Sequence, residues 1–286
     1  MSRTIKIQSC YFNAERFEKL KKVISEISDK FSESQKNLVI QEEKKRGGES
    51  EEESKLVQLF IQVRGKNGEV VEAFDPNKIS TTDFPTPIQK IKINSYEIET
   101  YGGITAPGRQ RNAFEIILDF SSVPVFDLVT NPSKSTENES SIYVKGEDSF
   151  VVQAAYDQLV DFFSHSRTFW VFIHKESIYE FLKWFVAVPI GLLSLKNLDG
   201  KIQAYILSSS EFLTIIYVIL FAFGLFLFRL VFNWARWLFP YVDFDLNRPP
   251  FLAFQRYIFA VFSGGLIGTY SMQLFKSAVA WIRGGG

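Results

Sequence analysis

The chain has 286 residues, with 32 Lys and Arg side chains against 32 Asp and Glu, 29 Phe and one Cys. A single cysteine excludes a disulfide-stabilised scaffold, and together with only two histidines it argues against a Cys/His zinc site. The aromatic share of 16% excludes wholesale disorder, and the zero net charge excludes a uniformly basic surface for nucleic acid. The zero net charge is the sum of two oppositely charged parts. Residues 1–183 carry four more acidic than basic side chains, and residues 184–286 carry four more basic than acidic.

The first predicted element is an amphipathic helix that begins after Asn13, a residue type that caps helix N-termini. Apolar residues follow at steps of three and four from Phe17 to Phe31, which predicts about five helical turns with one buried face. Residues 32–54 are mostly polar, with a pair of glycines and an acidic run. Their composition predicts a flexible surface loop.

Strands and a second helix are predicted next. The alternation of apolar and polar residues predicts strands at 55–64, 90–101, 113–120 and 140–144, with a hairpin from the first strand to residues 69–74 across Asn67-Gly68. A helix is predicted at 149–164, and residues 167–174 suit either a last strand or the approach to a membrane. Short connections between strands predict an antiparallel sheet with helices, an α+β domain over residues 1–176.

The connection 101–112 holds a group of glycines and arginines, namely Gly102, Gly103, Gly108, Arg109 and Arg111. Glycines let backbone N–H groups approach an anion, and guanidinium groups bind phosphate through two hydrogen bonds. The segment matches neither GxxxxGK[ST] nor GxGxxG, and no predicted helix follows it. It is therefore either a hairpin tip with solvent-facing arginines or a contact for an anion or nucleotide.

Lys90 and Lys92 alternate with Ile91 and Ile93 on a predicted strand, so both lysines lie on one face. With nearby tyrosines and arginines, such a face suits the stacking and phosphate contacts that single-stranded nucleic acid makes. The alternative is an ordinary solvated sheet face.

No arrangement of residues points to catalysis. His165 and His174 have no base, acid or nucleophile that the sequence places beside them, and each suits packing or a pH-sensitive contact. We therefore expect no catalytic residues, no metal and no cofactor.

The back of the chain holds three apolar stretches. Residues 212–228 and 257–275 are free of charge, and residues 184–195 form a shorter uncharged stretch that contains Pro189. A span needs roughly 20 apolar residues. The sequence predicts an all-α transmembrane domain over 177–286, with spans at about 178–196, 212–232 and 257–277. The first could instead be a re-entrant or interfacial helix.

An aromatic and basic segment, 233–250, connects the second span to the third. Aromatic and basic side chains anchor proteins at membrane interfaces, and those expected to do so here are Trp184, Arg229, Trp234, Arg236, Trp237 and Tyr241. The segment's other interpretation is a mechanical coupler between the two domains. Its arginines predict a cytoplasmic location. The N-terminus lacks an apolar secretory core, so the charged domain is expected in the cytosol and the chain in the inner membrane.

Small residues in the third predicted span, 257–277, suggest that this helix associates with another helix. Gly264 and Gly268 form a GxxxG pattern, which lets two helices approach closely in lipid. Three spans cannot enclose a pore within one chain. Any conductance would therefore require a homo-oligomer.

A charged N-terminal domain before a short multi-span domain resembles the layout of transmembrane effectors in bacterial anti-phage systems. That resemblance implies a cytosolic domain that senses a ligand and a membrane part that perturbs the bilayer. We therefore predict an oligomeric membrane effector or channel-like protein, gated by a nucleotide or oligonucleotide, whose partners are lipid, further copies of the chain and another protein. The alternatives are a membrane-anchored scaffold without conductance, and a membrane enzyme that uses His165, His174 or Glu176.

Overall fold

A computed structural model describes residues 1–46, 56–101, 104–107, 112–126, 132–205, 210–247, 251–252, 254–261, 264–265, 268–269 and 272. The chain divides into two compact units. Unit 1 comprises Met1–Ser121, Glu137–Val171 and Pro240–Arg248, and unit 2 comprises Ser122–Thr136, Phe172–Phe239 and Pro249–Gly286. A single boundary at residue 176 was expected from the sequence. In this division, unit 1 also includes Pro240–Arg248, and unit 2 also includes Ser122–Thr136.

The first helix of unit 1, α1, runs from Ala14 to Arg46. Asn13 caps it, since its side-chain oxygen accepts a hydrogen bond of 2.8 Å from the backbone N–H of Arg16. The apolar face predicted from Phe17 to Phe31 is fully buried. The prediction of a loop over 32–54 is wrong for residues 32–46, where Glu, Gln and Lys favour helix and no glycine occurs.

Nine strands are described: β1 (Ser2–Lys6), β2 (Cys10–Phe12), β3 (Leu56–Gly65), β4 (Val70–Ala73), β5 (Ile88–Tyr101), β6 (Ile104–Pro107), β7 (Ala113–Asp119), β8 (Ser141–Lys145) and β9 (Val242–Phe244). Seven of them form an antiparallel sheet in the order β1-β8-β7-β5-β3-β4, with β6 paired to β5. The predicted antiparallel sheet is thereby confirmed. Gly68, with φ of 84°, supplies the left-handed residue of the β3–β4 hairpin.

The core of unit 1 lies between this sheet and two helices. The second helix, α2, spans Ser149–Ser164, as the sequence predicts, and Asp148 caps it. Its Leu159 is buried with Ile61 and Ile93 of the sheet and with the apolar face of α1. At roughly 25 cal/mol per Å² of apolar surface, burial of this kind is the main stabilising contribution.

The two remaining strands of unit 1 pair with each other although they lie far apart in the sequence. β2 pairs with β9 in parallel, in the register Cys10 to Val242 and Phe12 to Phe244. Phe244 is fully buried, and its ring centroid lies 5.6 Å from that of Phe120. A segment that follows the helices of unit 2 in sequence therefore completes the core of unit 1.

Unit 2 is helical. Its helices are α3 (Ile178–Leu182), α4 (Val188–Tyr205) and α5 (Ser210–Leu238), and a π-helical turn, Lys183–Ala187, joins α3 to α4. The turn precedes Pro189, which has no N–H to donate to the carbonyl group of Phe185 and so favours a local change of helical pitch. Before α3, residues Phe169–His174 form a 3₁₀ turn.

Among the residues that the structure describes, two helices are long and apolar enough to cross a membrane, Ile178–Gly200 and Phe212–Leu238. Only 6% of the residues in the most apolar stretch of each are buried. Of the third predicted run, residues 257–261, 264–265, 268–269 and 272 are described, and they are helical.

Candidate functional site at the end of α5

The predicted ligand residues divide into two sets. Lys90 forms an ion pair with Glu139, and Lys92 forms one of 2.6 Å with Glu115 on the neighbouring strand. A carboxylate therefore compensates the positive charge of each lysine, from β7 for Lys92 and from the residues before β8 for Lys90. The other residues, Gly102, Gly103, Gly108, Arg109 and Arg111, lie outside the described residues.

The predicted interface residues lie in different environments. Trp184 is 61% exposed, and the ammonium group of Lys183 lies 5.4 Å from its ring centroid. Trp234 packs edge to face on Phe259, whereas Arg229, Trp237 and Tyr241 are half-buried. Gly264 and Gly268 lie on helical backbone, and an added Cβ at either would meet no atom within 4 Å.

Arg236, expected at a lipid interface, instead lies buried within unit 2. Its Nε donates a hydrogen bond of 2.8 Å to the carbonyl oxygen of Ile173, and its Nη2 donates one of 3.2 Å to that of Lys134. The guanidinium carbon also lies 4.7 Å from the ring centroid of Phe232. One side chain of α5 therefore joins two separate backbone segments, which no interfacial anchor needs to do.

His174 makes a second connection at the same end of α5. Its Nε2 lies 2.6 Å from the carbonyl oxygen of Phe239, so Nε2 carries the proton and donates. Its Nδ1 then accepts a hydrogen bond of 2.8 Å from the hydroxyl group of Thr136. Burial lowers the pKa of His174 to about 4, with the hydrogen bond to Phe239 opposing this and the positive charge of Arg236 adding to it.

A third set of contacts holds the segment 133–136 in place. The backbone N–H of Ser177 donates a hydrogen bond of 2.9 Å to the carbonyl oxygen of Ser133, and the Ser133 hydroxyl donates to Glu180. Ser177 has a φ of 66°, a conformation that costs a residue other than glycine about 1–2 kcal/mol. We call Ser133, Thr136, His174, Ser177 and Arg236 the α5 junction.

The α5 junction is built to hold three backbone segments together, and its groups suit no obvious chemical step. His174 uses both ring nitrogens in hydrogen bonds, so neither is presented to a substrate. Within the described part of the chain, no group of three or more His, Cys, Asp or Glu side chains is arranged to hold a metal ion. Cys10, in unit 1, is buried, and burial raises the pKa of its thiol to about 12, which keeps it protonated.

No protein-family model matches this chain, and no curated protein or solved structure is significantly similar to it.

Sequence reasoning found the residues of the α5 junction only in part. Arg236 was predicted at the membrane interface and His174 in packing or a pH-sensitive contact, but no local pattern pairs residues 38 or more positions apart. The strand β9 did leave a signal, because Val242, Phe244 and Leu246 alternate with Asp243 and Asp245. That alternation predicts a strand with one buried face inside the segment expected to lie at the interface.

Proposed function

We propose that this chain is an integral membrane protein that crosses the bilayer three times, keeps unit 1 in the cytosol, and assembles into a ligand-gated effector or channel-like oligomer, plausible in bacterial defence. The observation that carries the proposal is the exposed apolar surface of α4 and α5. Leu192 of α4 and Phe212, Val218, Ile219 and Phe223 of α5 are each more than half exposed. Contiguous apolar surface of this kind requires a lipid or protein environment.

The path of the chain supports an even number of crossings between the two parts of unit 1. The chain leaves unit 1 after Val171 and re-enters it at Pro240. A folded unit lies on one side of a membrane, so α5 must return the chain to the side from which it departed. The helices Ile178–Gly200 and Phe212–Leu238 provide two crossings. The third apolar run then supplies the third crossing.

Topology is the first test of this proposal. We expect the chain to remain in the membrane after carbonate extraction. We expect alkaline phosphatase to be active when fused after Gly200 and inactive when fused after Asp243, because the enzyme folds only outside the cytosol. Release by carbonate would contradict membrane integration. The reverse pattern of activity would place unit 1 outside.

Ligand-dependent conductance is the second test. The bilayer is expected to depolarise when the chain is expressed with its ligand. Nucleotide and oligonucleotide are the proposed classes, because residues 101–112 carry glycines and arginines before and after β6 in sequence. Changing both Arg109→Ala and Arg111→Ala should abolish depolarisation and reduce any co-purifying nucleotide. A double change of the exposed lysines, Lys66→Ala with Lys78→Ala, removes the same charge from unit 1 and should leave both unchanged.

The outcomes of the second test separate the candidate functions. If the chain is a monomer in detergent, and its expression leaves the membrane potential of cells unchanged, the effector function is contradicted. The scaffold function then remains. If depolarisation persists after both arginines are replaced, ligand sensing by residues 101–112 is contradicted.

A further inference from the structure

The connection between β7 and β8 is much longer than neighbouring antiparallel strands require. It covers residues 120–140, whereas such strands are usually joined by about 2–5 residues. Its described parts, 120–126 and 132–140, contain neither helix nor strand. The chain leaves unit 1 after Ser121, passes through unit 2 and re-enters unit 1 at Glu137. Long connections without regular structure usually carry a function.

The second half of this connection lies beside the ends of both candidate spans. The carbonyl oxygen of Ser133 accepts a hydrogen bond of 2.9 Å from the N–H of Ser177, which directly precedes α3 and the start of the first candidate span. The carbonyl oxygen of Lys134 accepts one of 3.2 Å from Arg236 in the last turn of α5. Two consecutive residues therefore mark the level at which one span starts and the other ends. In the proposed membrane arrangement, that level is a bilayer surface.

The first half of the connection is apolar and exposed. From Phe120 to Phe126 the sequence contains no charged side chain. Pro124 is exposed, and Phe126 is 80% exposed. We call residues 122–126 the apolar segment. It belongs to unit 2, as Ser133 does, and the chain from Ser133 back to Phe126 reaches no further than about 25 Å. The apolar segment is therefore tethered within reach of the bilayer surface.

We infer that the apolar segment is a membrane anchor, which inserts the ring of Phe126 into the lipid interface of the cytosolic leaflet. The inference rests on the proposed function, because the bilayer that surrounds α4 and α5 is the same surface that the anchor enters. Exposed apolar surface next to a bilayer is stabilised when it leaves water, and phenylalanine is among the residues that interfacial segments bury.

The structure also limits how deep the anchor goes. The described residues of the apolar segment are in neither helix nor strand, so their backbone N–H and C=O groups are not paired as regular structure pairs them. Such backbone is not tolerated in lipid hydrocarbon, where water cannot satisfy it. The backbone of the segment should therefore stay among the headgroups, with the ring of Phe126 just below them.

Fluorescence of a label in vesicles tests the anchor and its depth. The full chain with Phe126→Cys is labelled with nitrobenzoxadiazole and reconstituted in vesicles of phosphatidylethanolamine and phosphatidylglycerol that contain a spin-labelled lipid. A spin label near the headgroup end of the acyl chain should quench the fluorescence at least about twofold more than one near the methyl end, because interfacial segments lie only about 5–10 Å into the headgroup boundary. Cys10 is 0% exposed, and the native chain, treated in the same way, measures its background.

Phe150→Cys is the matched control for the label. Phe150 is 83% exposed, much as Phe126 is, but it lies at the start of α2 in unit 1, beside the acidic Glu147 and Asp148. The label at this position should emit as it does in water, and neither spin-labelled lipid should quench it.

A second pair of variants tests whether the apolar character of the segment holds it in lipid. Pro124→Asp, added to the Phe126→Cys chain, should lower the quenching by lipid at least about twofold, because a carboxylate is costly to remove from water. Ser135→Asp adds the same charge to the same connection, at an exposed position outside the apolar segment. It should leave the quenching unchanged.

The outcomes separate the anchor from the membrane location on which it rests. A carbonate-resistant chain in which labels at 126 and 150 respond alike to the spin-labelled lipids overturns the anchor and leaves membrane integration standing. Stronger quenching from the methyl end of the acyl chain overturns an interfacial position. Equal effects of Pro124→Asp and Ser135→Asp contradict an anchor held by the apolar segment. A carbonate-extractable chain overturns both the anchor and the proposed function.

Discussion

Phe244→Ala is expected to destabilise unit 1 by about 3–5 kcal/mol, the cost of removing a large aromatic side chain from a packed core. The ring is fully buried, and ring centroids of Phe12, Phe84 and Phe120 lie between 5.6 and 6.4 Å from its own. Its loss leaves a cavity beneath β9 and removes the largest apolar contact of that three-residue strand. The parallel pairing with β2 should weaken with it.

Hydrogen exchange on the intact chain in detergent measures this effect. Amides of β3, β5 and β7 should exchange faster by the factor that corresponds to the lost stability, and those of β2 should lose protection most. Phe150→Ala is the matched control, because Phe150 is 83% exposed and its truncation should change stability by less than about 0.5 kcal/mol. Unchanged exchange in β2 with Phe244→Ala would mean that β9 contributes little to unit 1.

Acidification is expected to loosen the α5 junction through His174. The folded-state pKa of this histidine, about 4, lies below its ordinary value of 6.5, so the folded form holds the neutral imidazole. Between these two values the open form binds a proton that the closed form does not. Stability is therefore fully present above pH 6.5 and falls as the pH drops toward 4, by roughly 3 kcal/mol in all.

Hydrogen exchange at pH 7.5 and pH 5, corrected for intrinsic rates, tests this expectation in peptides that cover residues 132–136 and 172–177. The native chain should lose protection at pH 5. His174→Gln keeps a donor near the carbonyl of Phe239 but cannot titrate, so its protection should depend far less on pH. His165→Gln changes an exposed imidazole and should behave as the native chain does. Equal protection of the native chain at both pH values would contradict the prediction.

Much of unit 1 could be predicted from local patterns. The strands β3, β5 and β7 alternate over enough residues to be recognised, and Asn67-Gly68 identifies the β3–β4 hairpin. α2 was predicted with its observed bounds because its apolar residues have helical spacing, and the structure adds that Asp148 caps it. In each of these elements, the residues that decide the structure lie within about one turn or one strand of each other.

The parts that were missed depend on contacts distant in sequence. Cys10 and Val242 are 232 positions apart, which puts their pairing beyond any local pattern. The same holds for Arg236, whose aromatic neighbours in sequence suggested a lipid interface, although its guanidinium group is bound by two carbonyl oxygens. The polar residues 32–46 were predicted as a loop from their high charge, although their Glu, Gln and Lys residues also have high helix propensity.

The parallel pairing of β2 with β9 constrains the order of events during synthesis. A ribosome completes β2 early, but its partner strand is made only after both α4 and α5 have left the active site. Unit 1 therefore lacks Phe244 and β9 throughout the interval in which α4 and α5 are synthesised. Chains that fold as they are made usually finish their first unit first. Here, α4 and α5 are complete before unit 1 can close.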